Sequence, residues 1–283
     1  MKKIIKAAAF TGGALCIVKG LDNRLEVTHY NISSKKIPLS FNGFKIAHIS
    51  DYHCDSVPGL ISEIRNEEPD IIVSTGDLAD DKGSFLPAVR LCEHLSDIAP
   101  VYAVTGNHDL WRGDYEKFEK ETECAGVRTL HNERVLLKKG DSEISLSGID
   151  DPFTLNSSKA ADNIQSFLSK ISNYDGYDIL LFHRANLFEC VNHNGFDLIL
   201  SGHMHGGQVR FPKSNKGLVS PRSSWLGKSV FFPKYVGGHY KSPHTEMIVS
   251  RGIGNPMLIP RLFNRPELTV VTLRSENNIS KEK

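Results

Sequence analysis

Five short apolar runs, each ending in Asp, His or Asn, constrain this chain most. "FKIAHIS" (44–50) leads into Asp51 and His53, and "DIIVST" (70–75) into Gly76, Asp77 and Asp80. "VYAVT" (101–105) leads into Gly106, Asn107, His108 and Asp109; "DILLF" (178–182) into His183; "FDLILS" (196–201) into Gly202, His203 and His205. Runs this short and this apolar read as strands buried on both faces. Amphipathic helical patterns lie between them, as at Val57, Leu60, Ile61 and Ile64, and at Ile164, Phe167, Leu168 and Ile171. The alternation makes an α/β layer fold. In such folds ligands bind beyond the carboxyl ends of the strands, so five polar tips are expected to meet in one crevice.

Taken singly, each tip has a plainer reading. Asp and Asn after a strand are common turn formers and helix caps, and a lone His there is often a satisfied structural residue. Capping, however, does not call for histidine at strand after strand. His203 and His205 stand two apart, bracketed by Gly202 and the Gly206–Gly207 pair, which permit a tight turn and a close approach to a ligand. Two imidazoles aimed at one point suggest a metal.

The donor inventory suits two divalent ions. Carboxylate and amide oxygens with imidazole nitrogens, and no thiolate, fit Mn, Fe or Zn. The five cysteines are widely spaced and form no C-x-x-C pair. With Asp77 shared, one ion would take Asp51, His53 and His205, and the other Asn107, His183 and His203. Paired ions acidify a bridging water and clamp the attacking and leaving oxygens of a displacement at phosphorus. His108 is then free to protonate the departing oxygen.

This ordered set, D-x-H, G-D-x-x-D, G-N-H-D, His183 and G-H-x-H, resembles the five-block signature of the calcineurin-like metallophosphoesterases over residues 44 to about 275. The resemblance implies a four-layer α/β fold, a central β-sandwich of two mixed sheets flanked by helices. It implies the same ligand assignment with Asp77 bridging, His108 as the acid, and Asp80 orienting His108. The block usually written H-x-P is "HRAN" here, so Arg184 departs from the pattern and leaves substrate contacts near it open. "FKIAHISDYH", "SGHMHGGQVRFP" and "RGIGNPMLIPRLFNRPELTVVTL" are further similar to a membrane-located bacterial branch that includes UDP-2,3-diacylglucosamine pyrophosphatases.

The ends and loops add context. Lys2, Lys3 and Lys6 precede an uncharged stretch, Ala7 to Val18, too short to span a bilayer comfortably. Residues 1–25 read as an export signal or membrane anchor, or alternatively as an ordinary amphipathic helix, and 26–283 as one catalytic domain. Between Phe211 and His244, Phe211, Trp225, Phe231, Phe232 and Tyr235 interleave with lysines and Arg222. That stretch reads as an apolar, cationic rim for a lipid phosphate or membrane surface, or as a plain strand pair. The formal charge of +1, from 34 basic and 33 acidic residues with no long like-charged run, argues against a nucleic-acid partner. The expected activity is hydrolysis of a phosphoester or pyrophosphate, on a membrane-proximal lipid or nucleotide-sugar phosphate. A broad-specificity phosphodiesterase and a non-catalytic binding module are the alternatives.

Overall fold

The computed structural model describes residues 19–152, 157–171, 173–212, 214, 216–219, 231–255 and 259–277. The first sheet holds β1 (Glu26–Ser34), β2 (Lys45–Ile49), β3 (Ile71–Ser74), β4 (Val101–Ala103), β5 (Val127–Thr129) and β12 (Glu267–Ser275), in the order β1-β12-β2-β3-β4-β5. β2 to β5 run parallel, and β12 runs antiparallel to β2. The second holds β6 (Glu133–Lys139), β7 (Ser142–Gly148), β8 (Asp178–Arg184), β9 (Leu198–Gly202), β10 (Gly238–Lys241) and β11 (Glu246–Val249), in the order β10-β11-β9-β8-β7-β6. Its middle strands are parallel and its two edge strands antiparallel. Both sheets are therefore mixed.

The strands alternate between two apolar layers because successive side chains leave opposite faces of a sheet. In β8, Ile179 and Leu181 join the core between the sheets, while Leu180 and Phe182 face outward onto Ile164 and Leu168 of α5 (Ser157–Leu168). In β2, Ile46 points inward; Ala47 and Ile49 pack with Leu60 and Ile64 of α1 (Leu60–Glu67). α2 (Leu86–Ser96) and α4 (Tyr115–Cys124) complete that outer layer through Leu91, Leu95 and Phe118. Helix, sheet, sheet, helix is the resulting four-layer order. Burying Leu-sized side chains on both sides of each sheet stabilises by about 1.5–3 kcal/mol apiece.

β6 and β7 form a hairpin that turns at Gly140-Asp141. The stretch from Phe211 forms no strand before Gly238 among its described residues, only isolated bridges at Arg210–Gly217 and Val219–Phe231. Much of the stretch read as a rim or as a strand pair, residues 220–230 with Trp225, lies outside the described residues. Most of the expected signal or anchor, residues 1–18, lies outside them as well. Among the described residues no helix is long and apolar enough to cross a membrane.

Candidate metal centre

The carboxyl ends of β2, β3 and β4 meet those of β8, β9 and β11. Backbone bonds lace the loops together: Asp51 N–H donates to Gly76 O (3.0 Å) and His53 N–H to Asp77 O (3.0 Å). Across the sheets, His203 N–H donates to both carboxylate oxygens of Asp51, at 3.2 and 3.0 Å. Asp51, His53, Asp77, His203 and His205 all take left-handed φ, between 46° and 72°. Such conformations cost on the order of 1–3 kcal/mol each in non-glycine residues and concentrate at functional sites. They turn the D-x-H and H-x-H pairs off the extended path, so alternate side chains aim into the cleft. Glycine is required beside them. Gly76 has φ +92°, and a Cβ there would sit 2.6 Å from Gly106 N.

Asp77 is at the centre. Its Oδ1 accepts the His108 N–H at 2.8 Å, at the start of α3 (Asn107–Trp111). Its Oδ2 has no hydrogen-bond partner and lies 3.2 Å from His183 Nε2 and 3.7 Å from His53 Nε2. On one side, donor atoms of Asp77, His183 and His203 lie within 4.8 Å of one another, with Asn107 Oδ1 3.3 Å from His183 Nε2. On the other, donor atoms of Asp51, His53 and His205 lie within 4.8 Å, with His205 Nε2 3.5 Å from Asp51 Oδ1. All seven side chains expected as ligands are buried and fall into these two neighbouring groups.

Two of the imidazoles are oriented from behind. His183 Nδ1–H donates to Thr75 O at 2.6 Å, and His53 Nδ1–H to Asp80 Oδ1 at 2.8 Å, which directs both Nε2 atoms into the cleft. His108 Nδ1 stands 3.7 Å from Asp80 Oδ1 and 3.6 Å from Asp81 Oδ1, beyond hydrogen-bond reach of either. Asp80, expected to orient His108, thus bonds His53 and only flanks His108. His108 and Asp80 are partly exposed, on the open side of the cleft where a substrate arrives.

The charges fit a cation. Burial pushes His203 and His205 well below the ordinary imidazole range, so both stay neutral and able to ligate. Burial also acts against the His183 cation, but Asp77 and Asp51 outweigh it and raise His183 to about 10. Burial opposes ionisation of Asp77, yet His183 and His108 hold its carboxyl well below the usual range. Buried Asp77 Oδ2, His53 Nε2, His203 Nε2 and His205 Nδ1 lack hydrogen-bond partners. Buried polar atoms rarely go unsatisfied, and this oxygen and nitrogen set without sulfur is what a divalent ion takes.

Residues outside the ligand set hold it in place, and of these the sequence did not mark Arg261 or Asp151. Asp109 accepts the N–H groups of Asp77, Ala79 and Gly106 at 2.8–3.0 Å and staples two tips together. Arg261, wholly buried, donates to Gly254 O and Arg251 O; Gly254 N–H in turn donates to Asp51 O. Arg184 makes a two-pronged pair with Asp151 at 2.5 and 2.9 Å, both side chains fully buried. It braces the end of β8 beside His183 rather than facing the cleft. Removing one partner of a buried pair strands the other charge, so Asp151→Ala should cost about 3–5 kcal/mol in urea unfolding. A loss below about 1 kcal/mol would contradict this role.

The sequence profile of the calcineurin-like phosphoesterases matches residues 44–207. The chain is 30% identical over 285 residues to the uncharacterized metallophosphoesterase YkuE of Bacillus subtilis, covering 96% of this chain and 94% of that one. It is 26% identical to the phosphodiesterase YaeI of Escherichia coli, covering 81% and 82%. The phosphopantetheinyl hydrolase PptH of Mycobacterium tuberculosis shares the fold, with TM-score 0.50 and 10% identity over 76% of this chain and 91% of that one. With the profile spanning more than half the chain and these buried donor clusters beneath it, the protein belongs to the calcineurin-like phosphoesterase family and is a metal-dependent phosphoesterase.

Proposed function

We propose that the protein hydrolyses a phosphodiester or pyrophosphate with two divalent ions. Asp51, His53 and His205 would hold one, Asn107, His183 and His203 the other, and Asp77 would bridge them. The observation that carries this reading is the bare Asp77 Oδ2 between His53 Nε2 and His183 Nε2. A metal pair supplies Lewis acidity at phosphorus and an acidified water. The remaining work falls to the chain. The left-handed tips fix the donors before substrate arrives, and Asp80 and Thr75 set the imidazole tautomers. His108, at the open side, gives its proton to the departing oxygen as the P–O bond breaks, and regains one from solvent. The diesterase relative, covering most of this chain, supports a diester, and a lipid or nucleotide-sugar phosphate is the proposed substrate class.

Chelator-treated protein should lose hydrolysis of bis-p-nitrophenyl phosphate and regain it with Mn²⁺. The pH dependence of binding has a definite sign. His183 ligates only when neutral, and with its value near 10 it carries a proton at pH 7 in the metal-free protein. That proton must leave, so Mn²⁺ affinity should rise with pH up to about 10, with proton release seen by calorimetry in buffers of different ionisation enthalpy. Affinity independent of pH between 6 and 9, or activity that survives chelation, would overturn the reading.

A further inference from the structure

Five of the eight large apolar side chains that remain exposed among the described residues belong to one layer of loops at the metal end. These are Leu21 (42%), Phe211 (47%), Ile259 (49%), Phe231 (62%) and Phe232 (66%). Backbone contacts make the layer continuous. Phe231 bridges Val219, Leu218 N–H donates to Val209 O, Val209 bridges Leu262, and Phe263 N–H donates to Gly20 O. The same layer begins at the metal cluster, because Asn264 Nδ2 donates to the carbonyls of His205 and Gln208.

The sequence of these loops is basic: from Asp197 to Glu246 no acidic residue intervenes while seven Lys or Arg occur. Of the described ones, Arg210 is buried, as are Arg251 and Arg261 farther on, while Lys216 is exposed. Lys216 lies five residues beyond Phe211, and Lys234, two residues beyond Phe232, pairs with Glu189 at 3.0 Å. Chain outside the description enters here too. Residues 1–18, with Lys2, Lys3 and Lys6 ahead of the uncharged run Ala7 to Val18, join the described protein at Lys19. Gly20 then packs so closely on Leu262 and Phe263 that a Cβ would lie 2.7–2.9 Å from their side chains.

We propose that this loop layer is a docking surface for an anionic lipid bilayer. Phe211, Phe231, Phe232, Ile259 and Leu21 enter the interface while Lys216 and the lysines of residues 1–18 meet lipid phosphates. Exposed aromatic and aliphatic groups with lysines alongside are the chemistry of interfacial binding, and anionic lipid adds attraction for each cation. A polyanion in water fits less well, since it does not account for two neighbouring phenylalanines more than half exposed. A bilayer is favoured over a protein partner by the segment joined at Lys19, three lysines ahead of an uncharged run. Docked this way, the open side of the metal cleft faces lipid headgroups; that consequence rests on the proposed function, whereas the docking does not.

The test uses the full chain with Phe232→Trp, and Leu136→Trp as control. Leu136 is an exposed apolar residue on β6, at the far edge of the second sheet from the strand β10 that follows the aromatic loop. Both variants keep residues 1–18, so tethering by that segment is equal in the two. They are mixed with vesicles of phosphatidylglycerol and phosphatidylcholine carrying brominated acyl chains, and each is read against the parent protein. The proposal expects a blue shift and bromine quenching for Phe232→Trp and neither for Leu136→Trp. It also expects roughly tenfold weaker vesicle partitioning for Phe231→Ser/Phe232→Ser, with turnover of a soluble diester unchanged. Vesicle binding with no quenching at position 232 would place the anchor in residues 1–18 alone and overturn the proposal. A blue shift at 232 present before vesicles are added would mean that the chain covers its own patch, and would also overturn it. Loss of soluble-diester turnover in the parent, with quenching intact, would instead count against the proposed function and leave the docking surface standing.

Discussion

Asp77→Asn should lower turnover at least about a thousandfold while the protein remains folded. The substitution keeps the shape of the side chain, and its oxygen can still accept the His108 N–H that Asp77 Oδ1 accepts at 2.8 Å. The other terminus becomes an NH₂ facing His183 Nε2 and His53 Nε2, where the carboxylate now stands at 3.2 and 3.7 Å. An amide nitrogen is no ligand, so the shared donor is lost to both ions at once. Losing about 4 kcal/mol of transition-state stabilisation corresponds to that thousandfold drop, a modest fraction of what a metal pair supplies. The loss of the anion also removes the main influence holding His183 protonated, so the variant's residual metal binding should show less pH dependence. Circular dichroism and urea unfolding check the fold, and hydrolysis of bis-p-nitrophenyl phosphate checks the rate. A folded Asp77→Asn protein with rates within tenfold of the parent would contradict the bridging role.

His108→Ala should produce a loss that depends on the leaving group. General-acid catalysis is typically worth 10²–10⁴-fold, roughly, when the departing oxygen is strongly basic. An alkyl or sugar alkoxide needs the proton; p-nitrophenolate, a weak base, needs it far less. The variant should therefore lose about a hundredfold or more on an alkyl phosphodiester and under tenfold on the nitrophenyl ester. Equal losses on both would assign His108 to binding or to positioning. The structure makes the first outcome the expected one, because His108 stands partly exposed at the open side with its ring against Trp111, its donor atom grouped with those of His53 and Asp80 and not with the two wholly buried sets.

Much of the layer order was legible from apolar runs of five to seven residues, because strands buried on both faces leave little room for any other pattern. β2, β3, β8 and β9 appear where "FKIAHIS", "DIIVST", "DILLF" and "FDLILS" stand. β1 escaped notice for the opposite reason. It is an edge strand, largely half-exposed, and "EVTHYNISS" carries no apolar run to announce it. α2 and α4 are short helices whose apolar spacing, in "LPAVRLCEHLS" and "YEKFEKETEC", spans only two to three turns.

At the cleft, the residues named from the strand tips are those the fold draws together, because topology alone carries parallel strand ends to one edge. What escaped was everything set by contacts across the fold. Asp109 reads as one more polar residue in "GNHD" until its carboxylate is seen to gather three N–H groups. Arg261 lies far along the chain in a loop, and nothing local marks it as the clamp on the turn that holds Asp51. Asp80 has the right neighbours in sequence, yet its hydrogen bond goes to His53, a choice made by a separation of under 1 Å.

The bridged pair of ions is most directly tested by titrating metal-free protein with Mn²⁺ in a calorimeter, parent beside Asp77→Asn. Two equivalents per chain in the parent, with proton uptake by the buffer, and at most one weakly held in the variant, is the result predicted here. A single equivalent in the parent, or two in both proteins with unchanged affinity, would contradict a centre built on Asp77.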